Sequence, residues 1–343
     1  MIVESNTMAN SRPAFITGAS GFIGRHLVQT LLMQERQVVA LCRHPSDLEE
    51  LAHPLLEIII GRIEDTQTFA PYFDNKMTIF HLAATRAIPG TPPDLFKRVN
   101  EVATMELGCA ALKANVSKFV HISTALTFGP SGGECISENS IWDWRSIDSC
   151  YIRSRANAQK EMKELVVQGL PLVVVCPTLV FGPDHPSHPN QISDQIRRLI
   201  RSRLDIVIGG GNQRRNLVYI DDVIRGILLA EEKGKIGEEF IFGGEDYSHR
   251  EFNHTIFSLS RLRPRISLSI PQVMTTLLVQ VADRVRGFYP GSGYSNALQM
   301  LTQEWKYTSD KAERMLGYHS LSVRDGIRKT LNFIERENQI GRR

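Results

Sequence analysis

The stretch that most constrains this chain is AFITGASGFIG, residues 14–24. Apolar Phe15 and Ile16 read as a buried strand. Gly18, Gly21 and Gly24 follow at the spacing G-x-x-G-x-x-G, and Phe22, Ile23, Leu27, Val28, Leu31 and Leu32 then recur at helical spacing. Strand, glycine turn and helix in that order is the context a dinucleotide site requires. Gly18 allows the tight turn, Gly21 lets the backbone approach a pyrophosphate, and Gly24 lets helix and strand pack closely. The helix N-terminus then offers free N–H groups to the phosphates.

The alternation continues along the chain. Apolar runs at 37–42, 56–61, 78–84, 118–123 and 171–176 read as further strands, with helical stretches between them, including 94–115. Strands alternating with helices predict an α/β fold with a doubly wound parallel sheet, a Rossmann arrangement. Cofactor selectivity in such a fold is set just after the second strand, where an acid holds the ribose of NAD and an arginine accommodates the 2′-phosphate of NADP. This chain has ALCRHPSDL there, with Arg43 directly after the strand and no acid at its end. That favours NADP(H), with NAD(H) as the alternative.

Composition narrows the partners. A net charge of +3, spread among acids, gives no footprint for nucleic acid. No apolar run approaches the roughly 20 residues of a membrane-spanning helix. Residues 1–11 lack the apolar core of a signal peptide and are expected to form a flexible lead. The five cysteines contain no CxxC pair, which argues against a disulfide framework or metal site and fits a cytoplasmic protein. His185 and His188 lie in a proline-rich loop without acidic partners, so that loop is expected to hold no metal.

Several further motifs stand in order: HLAAT at 81–85, VNEVAT at 99–104, STALTFG at 123–129, YIRSR at 151–155, CPTLVFGP at 176–183 and NLVYIDDV at 216–223. Through them, and through its ending at 307–334, the chain resembles an extended short-chain dehydrogenase/reductase of the NAD-dependent epimerase/dehydratase superfamily. Within it, the chain is most similar to the 3β-hydroxysteroid dehydrogenase and dihydroflavonol-4-reductase branch. The resemblance implies cofactor contacts from Gly18, Ser20, Gly21, Phe22, Ile23 and Gly24, from Ile63, from Leu82, Ala83 and Ala84, and from Pro177, Leu179 and Val180. It makes Tyr151 the general acid/base and Thr124 the group that orients the substrate oxygen. Thr85, Ala125, Trp142 and Arg215 fall on the substrate side. It also implies a Rossmann domain of residues 12–181 plus 217–243, a mostly helical substrate domain of 182–216 plus 244–338, and a homodimer.

Two arginines depart from the family pattern. Arg155 stands where a lysine normally holds the nicotinamide ribose and lowers the tyrosine pKa. It keeps the spacing of one helical turn from Tyr151 and keeps the charge, but it is planar and does not give up its proton. Arg62 replaces an aspartate that touches adenine, and would stack or reach a phosphate instead. The expected activity is NADP(H)-dependent interconversion of a ketone and a secondary alcohol on an apolar, polyketide-, steroid- or flavonoid-like small molecule. Arg215 keeps a nucleotide-sugar epimerase as the alternative. Arg155 keeps open a non-redox NADP(H)-binding protein or a cyclase-type enzyme. Segment 267–291 contains a helix with one strongly apolar face; the resemblance implies that it shapes an apolar substrate pocket or touches membrane, and the plain expectation is that it packs on the core.

Overall fold

The computed structural model describes residues 12–141, 148–185, 189–287, 293–294, 298 and 301–340. Its centre is a parallel sheet of seven strands: β1 (Ala14–Thr17), β2 (Val38–Cys42), β3 (Leu56–Ile60), β4 (Thr78–His81), β5 (Lys118–Ile122), β6 (Leu172–Pro177) and, from much later in the chain, β10 (Glu239–Phe242). Their spatial order is β3-β2-β1-β4-β5-β6-β10. The order therefore reverses between β1 and β4, the topological switch point where open α/β sheets hold ligands. Strand β6 reads LVVVCP and is buried at every position. Such unbroken apolar runs are what a strand covered on both faces needs.

Helices cover both faces. On one side lie α1 (Phe22–Met33) and α5 (Ile220–Lys233), packed against Ile16, Ala40, Phe80, Val120 and Val175. On the other lie α2 (Ala103–Lys113) and α3 (Cys150–Val167), packed against Phe15, Leu41, Ile79, Phe119 and Val174. The alternation follows from the two-residue period of a strand. A smaller part carries α4 (Gln191–Ser202), α6 (His249–Leu259), the three-stranded sheet β11 (Glu245–Ser248), β9 (Arg214–Tyr219) and β7 (Leu179–Phe181), and the parallel pair β8 (Leu204–Ile208) and β12 (Ile266–Ile270). Helices α7 (Gln272–Arg286), α8 (Asp310–Leu316) and α9 (Val323–Ile340) complete the chain.

Two expectations need correction. The single helix over 94–115 is broken: a turn at Pro93–Phe96 leads into a π-helical segment, Lys97–Val102, before α2 begins. The wider turn carries Asn100, which is fully buried and bonded on both sides. The second correction concerns 267–291. The helix forms as α7, but its apolar face does not join the core. Of its residues only Thr275 is buried.

Candidate active site

The first turn is built as its glycines require. Gly18 has φ +68, and a Cβ there would lie 2.7 Å from the Ala83 nitrogen. At Gly24 a Cβ would lie 2.1 Å from the Gly18 carbonyl oxygen. The β1–α1 turn thus presses against the end of β4, bringing Gly18 beside Leu82 and Ala83. Thr17 at the end of β1 fixes this junction: its Oγ1 accepts from the Leu82 and Ala83 nitrogens, both at 3.2 Å. Gly21 sits at the N-terminus of α1 with no side-chain cap and no acid in the first turn. Its N–H groups and helix dipole suit an anionic phosphate.

Thr124 and Tyr151 come from the end of β5, the strand beside β4, and from the start of α3. Thr124 follows β5, is half-buried, and caps the short turn Ala125–Phe128. Its neighbour Ser123 instead points inward, its Oγ donating to Gln159 Oε1 at 2.8 Å. Tyr151 lies in the first turn of α3, half-buried, its ring 6.4 Å from that of Phe96.

Arg155, one turn further along α3, is 2% exposed. One Nη donates to the carbonyl of Ile122, the last residue of β5. Its Nε and other Nη are buried with no hydrogen-bond partner among the described residues. Burial pulls the guanidinium below its ordinary pKa, opposed by the nearby Tyr151 and Cys176. The sheet beneath it carries His81 and His121, whose rings stack 5.2 Å apart. Burial, with Arg155 beside it, lowers His81 to about 3 and takes His121 well below its usual value. Lys160 is exposed, and Lys163 is engaged with Glu239 at 2.6 Å. Arg155 is thus the buried cation one helical turn from Tyr151.

Two connecting residues had no assigned role in the sequence. The Asn100 side chain accepts from the Thr85 nitrogen at 2.7 Å and donates to Ser154 Oγ at 2.9 Å, tying the end of β4 to α3. Gln159 accepts from Ser123 and Thr127, which flank the Thr124 turn, and so ties the end of β5 to the same helix. Asn100 stands in the VNEVAT motif, which was its signal. Gln159 gave none beyond falling one helical turn after Arg155.

The other expected residues are spread around this centre. Arg43 is exposed, immediately after β2. Arg25 of α1 bonds the Asp47 carbonyl and Glu50, so it braces the turn that follows Arg43. Arg62 is exposed and paired with Glu64 at 3.2 Å, while Ile63 beside it is buried. Pro177 ends β6, and Leu179 and Val180 lie in β7. His185 bonds Glu50 at 2.9 Å; Trp142 and His188 lie outside the described residues. Arg215 of β9 is buried, and burial pushes its pKa down to about 10. Its charge and burial together lower His249 of α6 to about 4.

A Rossmann sheet with a glycine turn at its switch point and a Thr-Tyr-Arg constellation beside it defines a nicotinamide-dependent enzyme of the extended short-chain dehydrogenase/reductase class. The chain belongs to the NAD dependent epimerase/dehydratase family, whose model matches residues 14–243. It is 25% identical over 334 residues to a putative dihydroflavonol 4-reductase of Synechocystis sp., covering 95% of each chain. It is likewise 25% identical over 309 residues to a 4-hydroxy-2-methyl-3-oxo-4-farnesyl-3,4-dihydroquinoline-1-oxide ketoreductase of Stigmatella aurantiaca, covering 89% of this chain and 91% of the relative. Among solved structures, a UDP-glucose 4-epimerase of Thermotoga maritima superposes with a TM-score of 0.78 at 21% identity, covering 95% of this chain and 99% of that one.

Proposed function

We propose that the protein is an NADP(H)-dependent oxidoreductase interconverting a ketone and a secondary alcohol on an apolar small molecule. The observation that carries this reading is the placement of Arg155. Its two unpaired donors lie one helical turn from Tyr151, and a buried donor without a partner is costly unless a ligand or water meets it. Swung toward the cofactor side, those donors would meet the hydroxyls of a nicotinamide ribose, and the uncapped helix N-terminus at Gly21 suits the pyrophosphate. When bound, the nicotinamide supplies or takes up the hydride. Tyr151 then gives its phenolic proton to the carbonyl oxygen during reduction. Thr124 Oγ1 holds that oxygen by a hydrogen bond. Arg155, one helical turn away, is the cation that would hold the nicotinamide ribose beside it.

The relatives named as ketoreductase and dihydroflavonol reductase support an apolar ketone, and exposed Arg43 supports the phosphorylated cofactor. Nicotinamide fluorescence titrations with NADPH and NADH test the proposal. NADPH is expected to bind about tenfold more tightly, a difference of about 1.4 kcal/mol, and Arg43→Ala is expected to abolish the preference. Equal or tighter binding of NADH overturns the cofactor assignment.

One observation favours a second reading. Arg215 is buried and acquires no ion pair among the described residues, as a diphosphate-binding arginine would require. An epimerase would purify with tightly held NAD(H) and bind a nucleoside-diphosphate sugar through Arg215, with no net cofactor turnover. A homodimer in the cytoplasm completes the proposal.

A further inference from the structure

Gln159 sits where α3 meets the ends of three strands. It lies one helical turn after Arg155 and two after Tyr151, and is 7% exposed. Its side-chain oxygen accepts from Ser123 Oγ at 2.8 Å and from Thr127 Oγ1 at 3.2 Å, with Cys176 Sγ of β6 a third neighbour at 3.9 Å. Its side-chain nitrogen donates to Glu239, the first residue of β10. Lys163 Nζ donates to the other oxygen of Glu239 at 2.6 Å.

These partners decide which way the amide points. A carboxylate paired with a lysine accepts hydrogen bonds and has none to give. Facing Glu239, the amide therefore presents its NH2 there and its oxygen to the two hydroxyls. Ser123 and Thr127 bracket Thr124, one residue before it and three after. Thr127 shares its hydroxyl proton with the Thr124 carbonyl, at 2.8 Å, and the Ser123 N–H donates to the Val175 carbonyl of β6 at 2.7 Å. The turn is thus held from α3, from β6 and from within. Among the described residues the Thr124 hydroxyl accepts from the Leu126 N–H at 3.4 Å and donates to nothing. Its proton is left for a substrate oxygen.

We infer, on the reading in which Thr124 binds the carbonyl oxygen, that Gln159 is a positioning residue for the reaction. It acts through the Ser123–Thr127 turn to hold the Thr124 hydroxyl toward the substrate, and Glu239 of β10 sets the direction of its amide. Misplacing a reacting group by about 1 Å can cost about a hundredfold in rate, so a clamp on both sides of Thr124 bears on turnover rather than on cofactor affinity.

The test is steady-state reduction by NADPH of dihydroquercetin, androstenedione and ethyl benzoylacetate, one flavonoid, one steroid and one polyketide-like ketone. NADPH is titrated by its fluorescence in every variant. Gln159→Met removes both ends of the amide at similar size. It is expected to lower kcat by about tenfold or more, with NADPH affinity and the KM for the ketone within about twofold of the parent. Gln159→Glu sets two carboxylates against each other and should lower kcat likewise. Adding Glu239→Gln reverses donor and acceptor, and should return kcat to within about threefold of the parent. A parent chain that reduces none of the three ketones overturns the oxidoreductase reading, and the role of Gln159 with it. A parent that reduces one of them while Gln159→Met keeps the parental kcat overturns the role of Gln159 alone. Loss of NADPH binding in Gln159→Met would mean misfolding, and the double variant then decides. If it does not recover kcat, whether or not it binds NADPH, the positioning role is overturned.

Discussion

Each face of the central sheet buries one arginine, and the two are held in opposite ways. On the α1 side, Arg36 is 3% exposed and meets Glu231 of α5 through two hydrogen bonds of 2.7 and 2.6 Å, its guanidinium lying over Phe80. On the α3 side, Arg155 is as deeply buried but has a backbone carbonyl and two neutral histidines where Arg36 has a carboxylate. The first charge is compensated within the fold. The second is compensated only in part, with two of its nitrogens buried and without a partner among the described residues. Burial alone therefore does not separate the two arginines; the inventory of partners does.

The comparison predicts unequal costs. Arg36→Met leaves Glu231 buried without its partner, and should lower the unfolding free energy by about 3–5 kcal/mol in a urea titration. A change under about 1 kcal/mol would mean that Glu231 finds water or takes up a proton, and the contrast between the faces would weaken. The pH dependence comes next. His81 and His121 stay neutral in the fold but bind protons near pH 6.5 when unfolded. Between those values the unfolded chain holds more protons, so stability is complete above about pH 6.5 and falls below it by about 1.4 kcal/mol per pH unit for each ring. The loss from His81 continues until its folded value, about 3, is reached. Urea midpoints at pH 7 and pH 5 measure this, and His121→Leu should make the slope shallower. The smallest effect on stability belongs to Arg155→Met, which removes a charge without orphaning another; a change within about 1 kcal/mol is expected. NADPH binding in that variant should weaken by about tenfold. Unchanged NADPH binding would remove the distinction between the two arginines.

These residues also show where reading the sequence reaches its limit. The glycine turn was legible because its constraints are local: a positive φ and a backbone contact each exclude a side chain at a fixed spacing. The positions of the first six strands were legible for a similar reason, since each is a short run dominated by apolar residues. The position of Arg155 was legible from YIRSR, but its unpaired donors were not, because they depend on what β4, β5 and β6 bring beneath α3 from elsewhere in the chain. The π-helical segment around Asn100 escaped because it coincides with bonds to Thr85 and Ser154 on other elements. For α7 the periodicity was plain and the direction was not: a repeat says that one face is apolar, and only the neighbours decide whether it is buried.

Strand β10 closes the sheet beside β6, yet it is made some sixty residues later, after β7, β8, β9 and α5. A ribosome releasing this chain exposes the open edge of β6, a fully buried strand in the finished molecule, until residues 239–242 emerge. Unpaired apolar edges of this kind template pairing with other chains. The cofactor-binding half is therefore not a separable module. A fragment ending after β7 would carry the whole glycine turn and the Thr-Tyr-Arg constellation and still present a sticky border, so its fate in the cell would be set by aggregation and chaperones rather than by its affinity for nucleotide.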